Sequence, residues 1–204
     1  CITLLLLAAF LVECNKVDQS KLPLQKESHI VLLGNNLGSR MMNFGHFETE
    51  MHLRYPDSSL FIRNMSDPGN TPGFRPHSAR NSPWAFEGAE QFFEDSELSA
   101  ETNSQGFYPT PDEWLSQLEA DIIIAFFGRN EAYMGPGRLE TFKAELDAFI
   151  QHTLDQKYND ENAPQLALVS PIAHEDLSGI KDLPDGSKIN PRLKMYTEAM
   201  REVA

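Results

Sequence analysis

The stretch His29-Ile30-Val31-Leu32-Leu33-Gly34-Asn35-Asn36-Leu37-Gly38 decides the fold. Ile30 to Leu33 is an unbroken apolar run of strand length, and the Gly and Asn residues that follow end it sharply. A run that does not alternate with polar residues reads as a strand buried on both faces. Three further runs share that character: Leu60-Phe61-Ile62, Ile122-Ile123-Ile124-Ala125-Phe126-Phe127 and Leu166-Ala167-Leu168-Val169. Helical periods lie between and after them. Phe44, Phe47 and Met51 are spaced i, i+3, i+7; Leu139, Phe142, Leu146, Phe149, Ile150 and Leu154 make a longer stripe; Leu193, Tyr196, Met200 and Val203 make the last. Thr110-Pro111-Asp112-Glu113 carries a capping hydroxyl, Pro at the first helical position and Glu at the third, and Asn190-Pro191 repeats the cap-then-Pro pattern. The order is therefore βαβ, a long insertion, then αβαβα. Strands alternating with helices imply a mostly parallel, doubly wound sheet covered by helices on both faces, an α/β/α sandwich in three layers.

Composition bounds what such a domain does. The 204 residues include 17 basic and 30 acidic side chains, a net charge of −13, with 41% hydrophobic and 10% aromatic residues. That is the composition of one ordinary globular domain. The negative charge, without a dense Lys/Arg stripe, disfavours nucleic acid as a partner. Both cysteines, Cys1 and Cys14, lie in the first 14 residues, so the body carries no disulfide framework, Cys-rich zinc site or haem attachment. The chain opens on an apolar run, Ile2 to Val12, too short for the roughly 20 residues of a membrane-spanning helix. It reads as the core of a secretory signal, so residues 1–14 are expected to be a signal peptide or lipoprotein signal remnant. Leu11-Val12-Glu13-Cys14 resembles a lipobox, with Glu13 where that motif has a small residue. Residues 15–28 read as a polar linker and residues 29–204 as the domain. The expected location is exported: periplasmic, extracellular or membrane-anchored, with membrane contact only through the N-terminal segment. The insertion from Asn70 to Pro109 mixes Pro, Gly and acidic residues with Trp84, Phe86, Phe92, Phe93, Phe107 and Tyr108. Loops of that length are either substrate-side lids or surface insertions packed by their own aromatics.

Chemistry is expected at the carboxyl ends of the strands, where loops converge in an open parallel sheet. After the first strand comes Gly34-Asn35-Asn36-Leu37; after the second, Gly69-Asn70-Thr71; after the third, Gly128-Arg129-Asn130-Glu131; after the fourth, Ser170-Pro171-Ile172-Ala173-His174-Glu175-Asp176. The first three of these put a Gly and a carboxamide at one end of the sheet, a source of uncharged N–H donors of the kind an oxyanion needs.

These blocks resemble those of the SGNH or GDSL-type hydrolases, α/β/α esterases, lipases and carbohydrate deacetylases, over residues 29–204. Gly34-Asn35-Asn36-Leu37 is similar to Gly-Asp-Ser-Leu, Gly69-Asn70-Thr71 to Gly-Asp-Thr, and Gly128-Arg129-Asn130-Glu131 to Gly-x-Asn-Asp. The resemblance implies a flavodoxin-like sheet order, no cofactor, and a small-molecule or carbohydrate ester as substrate. It places Asn36 at the nucleophile position and Gly69 and Asn130 at the two oxyanion positions. A carboxamide nitrogen, delocalised into its carbonyl, is no nucleophile, so serine chemistry is absent at Asn36. Ser39, close by in sequence, reads as a capping or surface serine. Gly69 and Asn130 also admit a structural reading, Gly for a tight turn and Asn as a tie between loops. The family's Asp-x-x-His block, which supplies the base, is not in this chain. The resemblance implies that it follows a fifth strand within roughly 50 residues of Ala204, an estimate from ordinary element lengths, so that the domain as given is C-terminally incomplete. The wording around Phe44-Gly45-His46-Phe47-Glu48-Thr49 and Ser170 to Asp176 resembles a bacterial subfamily in which this module heads a larger exported protein with further domains downstream. Two functions follow as alternatives: an ester hydrolase, or a non-catalytic module that holds a carbohydrate or acyl ligand.

Other constellations carry less. His174 beside Glu175 and Asp176 is a substitute base or a hydrogen-bonding tie. His46 and His52, six residues apart, do not share a helix face as metal ligands at i, i+4 would, and His52 with Glu48 reads as a surface pair. No metal site is expected. Glu140, Glu145, Asp147 and Asp155 fall between the apolar positions of the long helix and read as its solvated face.

Overall fold

The computed structural model describes residues 22–77, 79–93, 106–180, 182–183 and 185–204. The expected signal segment with Cys14, the start of the linker and residues 94–105 of the insertion lie outside the described residues. In chain order the elements are β1 (His29–Gly34), α1 (Asn36–Met41), α2 (His46–Arg54), β2 (Phe61–Asn64), α3 (Pro111–Gln117), β3 (Ile122–Phe126), α4 (Arg129–Met134), α5 (Leu139–Asp155), β4 (Gln165–Val169) and α6 (Asn190–Val203).

The strands form one parallel sheet in the order β2-β1-β3-β4, with Ile30 opposite Ile122 and Gly34 opposite Phe126 at the centre. Side chains of β1 and β3 alternate between two cores. Val31, Leu33, Ile123 and Ala125 meet Leu115 of α3, Phe142, Leu146 and Phe149 of α5, and Leu193, Tyr196 and Met200 of α6 on one face. Ile30, Leu32, Ile122 and Phe126 meet Leu37 and Met41 of α1 and Phe47 and Met51 of α2 on the other. The expected α/β sandwich with a parallel sheet is what forms. Each fully buried Leu or Phe of this kind contributes about 1.5–3 kcal/mol by leaving water.

Burial on both faces holds for β1 and β3 and fails for β2 and β4. The side chains of β2 alternate between exposed and half-buried, and those of β4 are half-buried throughout, because these strands flank the central pair. Phe44, expected on a helical stripe, precedes α2 and is 61% exposed, and Leu154 at the end of α5 is 42% exposed.

The cap at α3 forms as its sequence predicts: Thr110 Oγ accepts the Glu113 N–H at 3.2 Å and the Glu113 carboxylate accepts the Thr110 N–H at 2.7 Å. Asp112 then ties α3 to the end of α5, accepting the Tyr158 hydroxyl at 2.8 Å and lying 2.5 Å from His152 Nε2. Burial, with Asp112 beside it, pushes the Tyr158 phenol up. The second expected cap is built differently. Ile189 occupies the cap position of α6, and the Asn190 side chain instead brackets the His174 backbone, accepting its N–H at 2.8 Å and donating to its carbonyl at 2.9 Å. Among the described residues no helix is long and apolar enough to cross a membrane.

Candidate functional site

Three loops meet at the carboxyl ends of β1, β2 and β3, and carboxamides join them. Asn36, first residue of α1 and half-buried, donates from Nδ2 to Asn130 Oδ1 at 2.5 Å. The Asn130 amino group donates in turn to the Pro68 carbonyl and, at 3.3 Å, to the Asn70 carbonyl. Asn70, buried, sends its own amino group to the Gly34 carbonyl at 3.2 Å. The residues singled out from the sequence therefore come together: Asn36 and Asn130 touch, and Asn130 holds the loop that carries Gly69. An oxyanion approaching Asn130 must displace one of its two carbonyl partners.

Gly69 and Asn130 line one wall of an open cleft of about 510 Å³, with Arg129, Tyr133 and Met134 completing it. The Gly69 N–H makes a long hydrogen bond, 3.3 Å, to Asp67 Oδ1. A Cβ at Gly69 would meet nothing nearer than Pro76 Cγ at 3.7 Å, and its φ is ordinary, so neither packing nor turn geometry demands glycine there. Tyr133 carries the cleft towards the loop after β4, its hydroxyl 3.3 Å from His174 Nε2. Arg129 lies over the Tyr133 ring at 5.2 Å.

Beneath this surface lies a buried polar layer. Glu131, in the first turn of α4, accepts the Gly128 N–H at 2.9 Å and the Asn35 Nδ2–H at 3.3 Å, both on Oε2. Burial pushes its carboxyl up to about 8, and the nearby Glu145 charge acts in the same direction. Glu145 was expected on the solvated face of α5 and is instead 2% exposed. Its Oε1 accepts the Thr71 hydroxyl at 2.6 Å and the Gly73 N–H at 2.7 Å, and these donors from the second loop supply the compensation that burial of a carboxylate requires. Arg75, four residues after Thr71, is fully buried with its guanidinium 5.3 Å from the Phe149 ring, and burial lowers it to about 10.

The sequence gives Glu131 a place in the third block but no role, and it puts Glu145 on the wrong face. Glu131 stands three after Gly128, the spacing of a capping acid, but without the hydroxyl residue that makes the pattern conspicuous. Glu145 stands three after Phe142 and four before Phe149, on the buried stripe itself. Ser39 is half-buried on α1, and His52 with Glu48 is the exposed i, i+4 pair expected, at 3.9 Å. Among the described residues no group of three His, Cys, Asp or Glu side chains is placed to hold a metal ion.

An alpha/beta hydrolase enzyme, LAE5, from the metagenome of Lake Arreo, Spain, matches 88% of this chain and 73% of its own, with a TM-score of 0.51 and 16% identity. The fold is shared with hydrolases. A mutant of Axe2, an acetyl-xylooligosaccharide esterase from Geobacillus stearothermophilus, matches 89% of this chain and 73% of its own, with a TM-score of 0.52 and 12% identity. BT4096, a gut microbial diltiazem-metabolizing enzyme, matches 89% of this chain but 35% of its own, with a TM-score of 0.51 and 16% identity. At such identities the likeness is one of fold. No family model and no curated protein sequence matches the chain.

Proposed function

We propose that this chain is an SGNH/GDSL-type hydrolase-like domain that acts on an acyl or acetyl ester, small or carbohydrate-borne, in the cleft lined by Gly69 and Asn130. The observation that carries this reading is the meeting of the second and third strand-end loops in one cleft, with Gly69 and Asn130 in its wall and the first loop tied to Asn130 through Asn36. The exposed Gly69 N–H and its surplus space support a ligand against that backbone. Asn36 supplies no nucleophile, so the attacking group in this reading is water. In this reading the base is His174, whose Nε2 lies 3.3 Å from the hydroxyl of Tyr133 in the cleft wall. The domain is proposed to work outside the cytoplasm, carried there by residues 1–14.

A second reading, a binding module for an acyl or carbohydrate ligand, is favoured by one observation. The Asn36 amide, at the position the resemblance assigns to a serine nucleophile, donates directly to Asn130. Hydrolysis of short p-nitrophenyl esters and acetylated xylo-oligosaccharides by the purified protein separates the two. The ester reading expects turnover that falls in Asn130→Ala and in His174→Ala. Saturable binding of the same compounds without turnover supports the module. Introducing a hydroxyl by Asn36→Ser is expected to raise esterase activity only where a base reaches it, and Asn130→Ala is then expected to lower that activity about 100-fold or more, as for other oxyanion donors. Undiminished activity in Asn130→Ala would overturn the site.

A further inference from the structure

Two adjacent pairs of residues join the first loop to the third. Asn36 meets Asn130 at 2.5 Å, and one position away on each loop Asn35 meets Glu131 below it at 3.3 Å. The lower contact is buried: Asn35 is 1% exposed and Glu131 2%. Glu131 Oε2 serves both loops, taking Asn35 from the first and the Gly128 N–H from the third. Its other oxygen, Oε1, is buried and has no hydrogen-bond partner among the described residues. Glu131 lines a small cavity of about 10 Å³, the room of roughly one water, with Thr71, Met134, Arg138, Phe142 and Glu145.

We propose that Glu131 is a positioning residue for this site, tying the first loop to the third from beneath, and that the proton it holds beside Glu145 at the cavity governs how firmly it does so. The proposal deepens the ester-site reading and rests on it. Two buried carboxyls at one cavity do not both ionise readily, because each charge is desolvated and raises the energy of the other. Donors decide which one keeps the proton. Glu145 Oε1 has the Thr71 hydroxyl and the Gly73 N–H. Glu131 Oε1 has none among the described residues, so the proton sits there while Oε2 keeps Asn35 and Gly128. The groups that face Glu131 are Glu145 from α5, Arg138 from the turn before it, and Tyr196 from α6, whose hydroxyl is held by the Gly135 carbonyl at 2.7 Å. Burial and Glu145 both push the Glu131 carboxyl towards its neutral form, up to about 8. Loss of that proton places a second charge under the Asn36–Asn130 contact, where the cheapest relief is separation of the two loops.

The test is a carbon-13 NMR titration of the full chain labelled at the glutamate carboxyls, read together with the side-chain amide signals of Asn35, Asn36 and Asn130. One carboxyl is expected to titrate near pH 8, to be missing in Glu131→Gln, and to carry the three amide signals with it. A Glu131 carboxyl that titrates in the ordinary carboxylate range overturns the proposal, as does a titration near 8 that leaves Asn36 and Asn130 unmoved. These readouts need no turnover, so they stand or fall apart from the ester reading, and the movement of the amide signals with the carboxyl is read in the native protein alone. Where turnover is present, the native rate is expected to fall about tenfold per pH unit above that point and the Glu131→Gln rate to lack this fall. Matching profiles in the two proteins would contradict the positioning role.

Discussion

Gly34→Ala tests how β1 delivers Asn35 and Asn36 to the site. Gly34 is the last residue of β1, opposite Phe126 of β3, at φ +122, a backbone conformation that L side chains rarely adopt. A Cβ there would stand 2.3 Å from the Phe126 carbonyl oxygen and 2.7 Å from its carbon and nitrogen. All three are backbone atoms of a central strand, so no side-chain rotation relieves the contact. The same carbonyl accepts the Asn35 N–H at 2.8 Å, and moving it away breaks that bond. Strain of about 1–3 kcal/mol, displacement of a packed strand at about 1–3, and loss of a hydrogen bond at about 0.5–1.5 combine to roughly 3 kcal/mol or more. For a chain of this size that lowers Tm by about 6–12 °C. Urea unfolding followed by circular dichroism gives the free energy directly, and the midpoint is expected to fall with the slope unchanged. Gly137→Ala is the control, since a Cβ there meets nothing within 4 Å and φ is ordinary. A Gly34→Ala protein within about 0.5 kcal/mol of the native one, the range of neutral surface changes, would refute this account of the loop.

Three more outcomes are expected. Gly69→Ala is expected to leave stability within about 0.5 kcal/mol of native or raise it slightly, while ligand binding or turnover in the cleft falls; a stability loss with unchanged binding would make Gly69 a turn residue. Thr110→Ala removes the hydroxyl half of the capping box on α3 and is expected to cost about 0.5–2 kcal/mol in urea unfolding. Stability is also expected to depend on pH through Glu131. The unfolded chain loses that proton from about 4.5, whereas the folded chain keeps it to about 8, so stability falls as pH rises between those values and levels off above them. The slope is about 1.4 kcal/mol per pH unit and is expected to be missing in Glu131→Gln; identical profiles would contradict it.

The sheet was legible because its evidence is local. Ile30 to Leu33 and Ile122 to Phe126 carry no polar residue, and only burial on both faces accommodates that. Edge position is not local, so Leu60-Phe61-Ile62 and Leu166 to Val169 looked like the central strands and differ only in what flanks them. The strand-end blocks were legible as blocks, and Asn36, Gly69 and Asn130 do meet at one end of the sheet. Their partners were not legible: which carbonyls Asn130 holds depends on how loops 34–36, 64–71 and 128–131 settle against one another. Glu145 shows the limit most plainly. Its place on the stripe between Phe142 and Phe149 was available, but a charged residue reads as solvated until the Thr71 and Gly73 donors that bury it are seen.

The central claim is that an ester is bound and turned over in the cleft lined by Gly69 and Asn130. The most direct measurement is the initial rate of p-nitrophenyl acetate hydrolysis by the purified protein beside its Asn130→Ala variant, with folding of both checked by circular dichroism. The account predicts saturable hydrolysis above the protein-free rate that falls about 100-fold in the variant. Hydrolysis that is equal in the two folded proteins, or a native rate no higher than buffer, would contradict it.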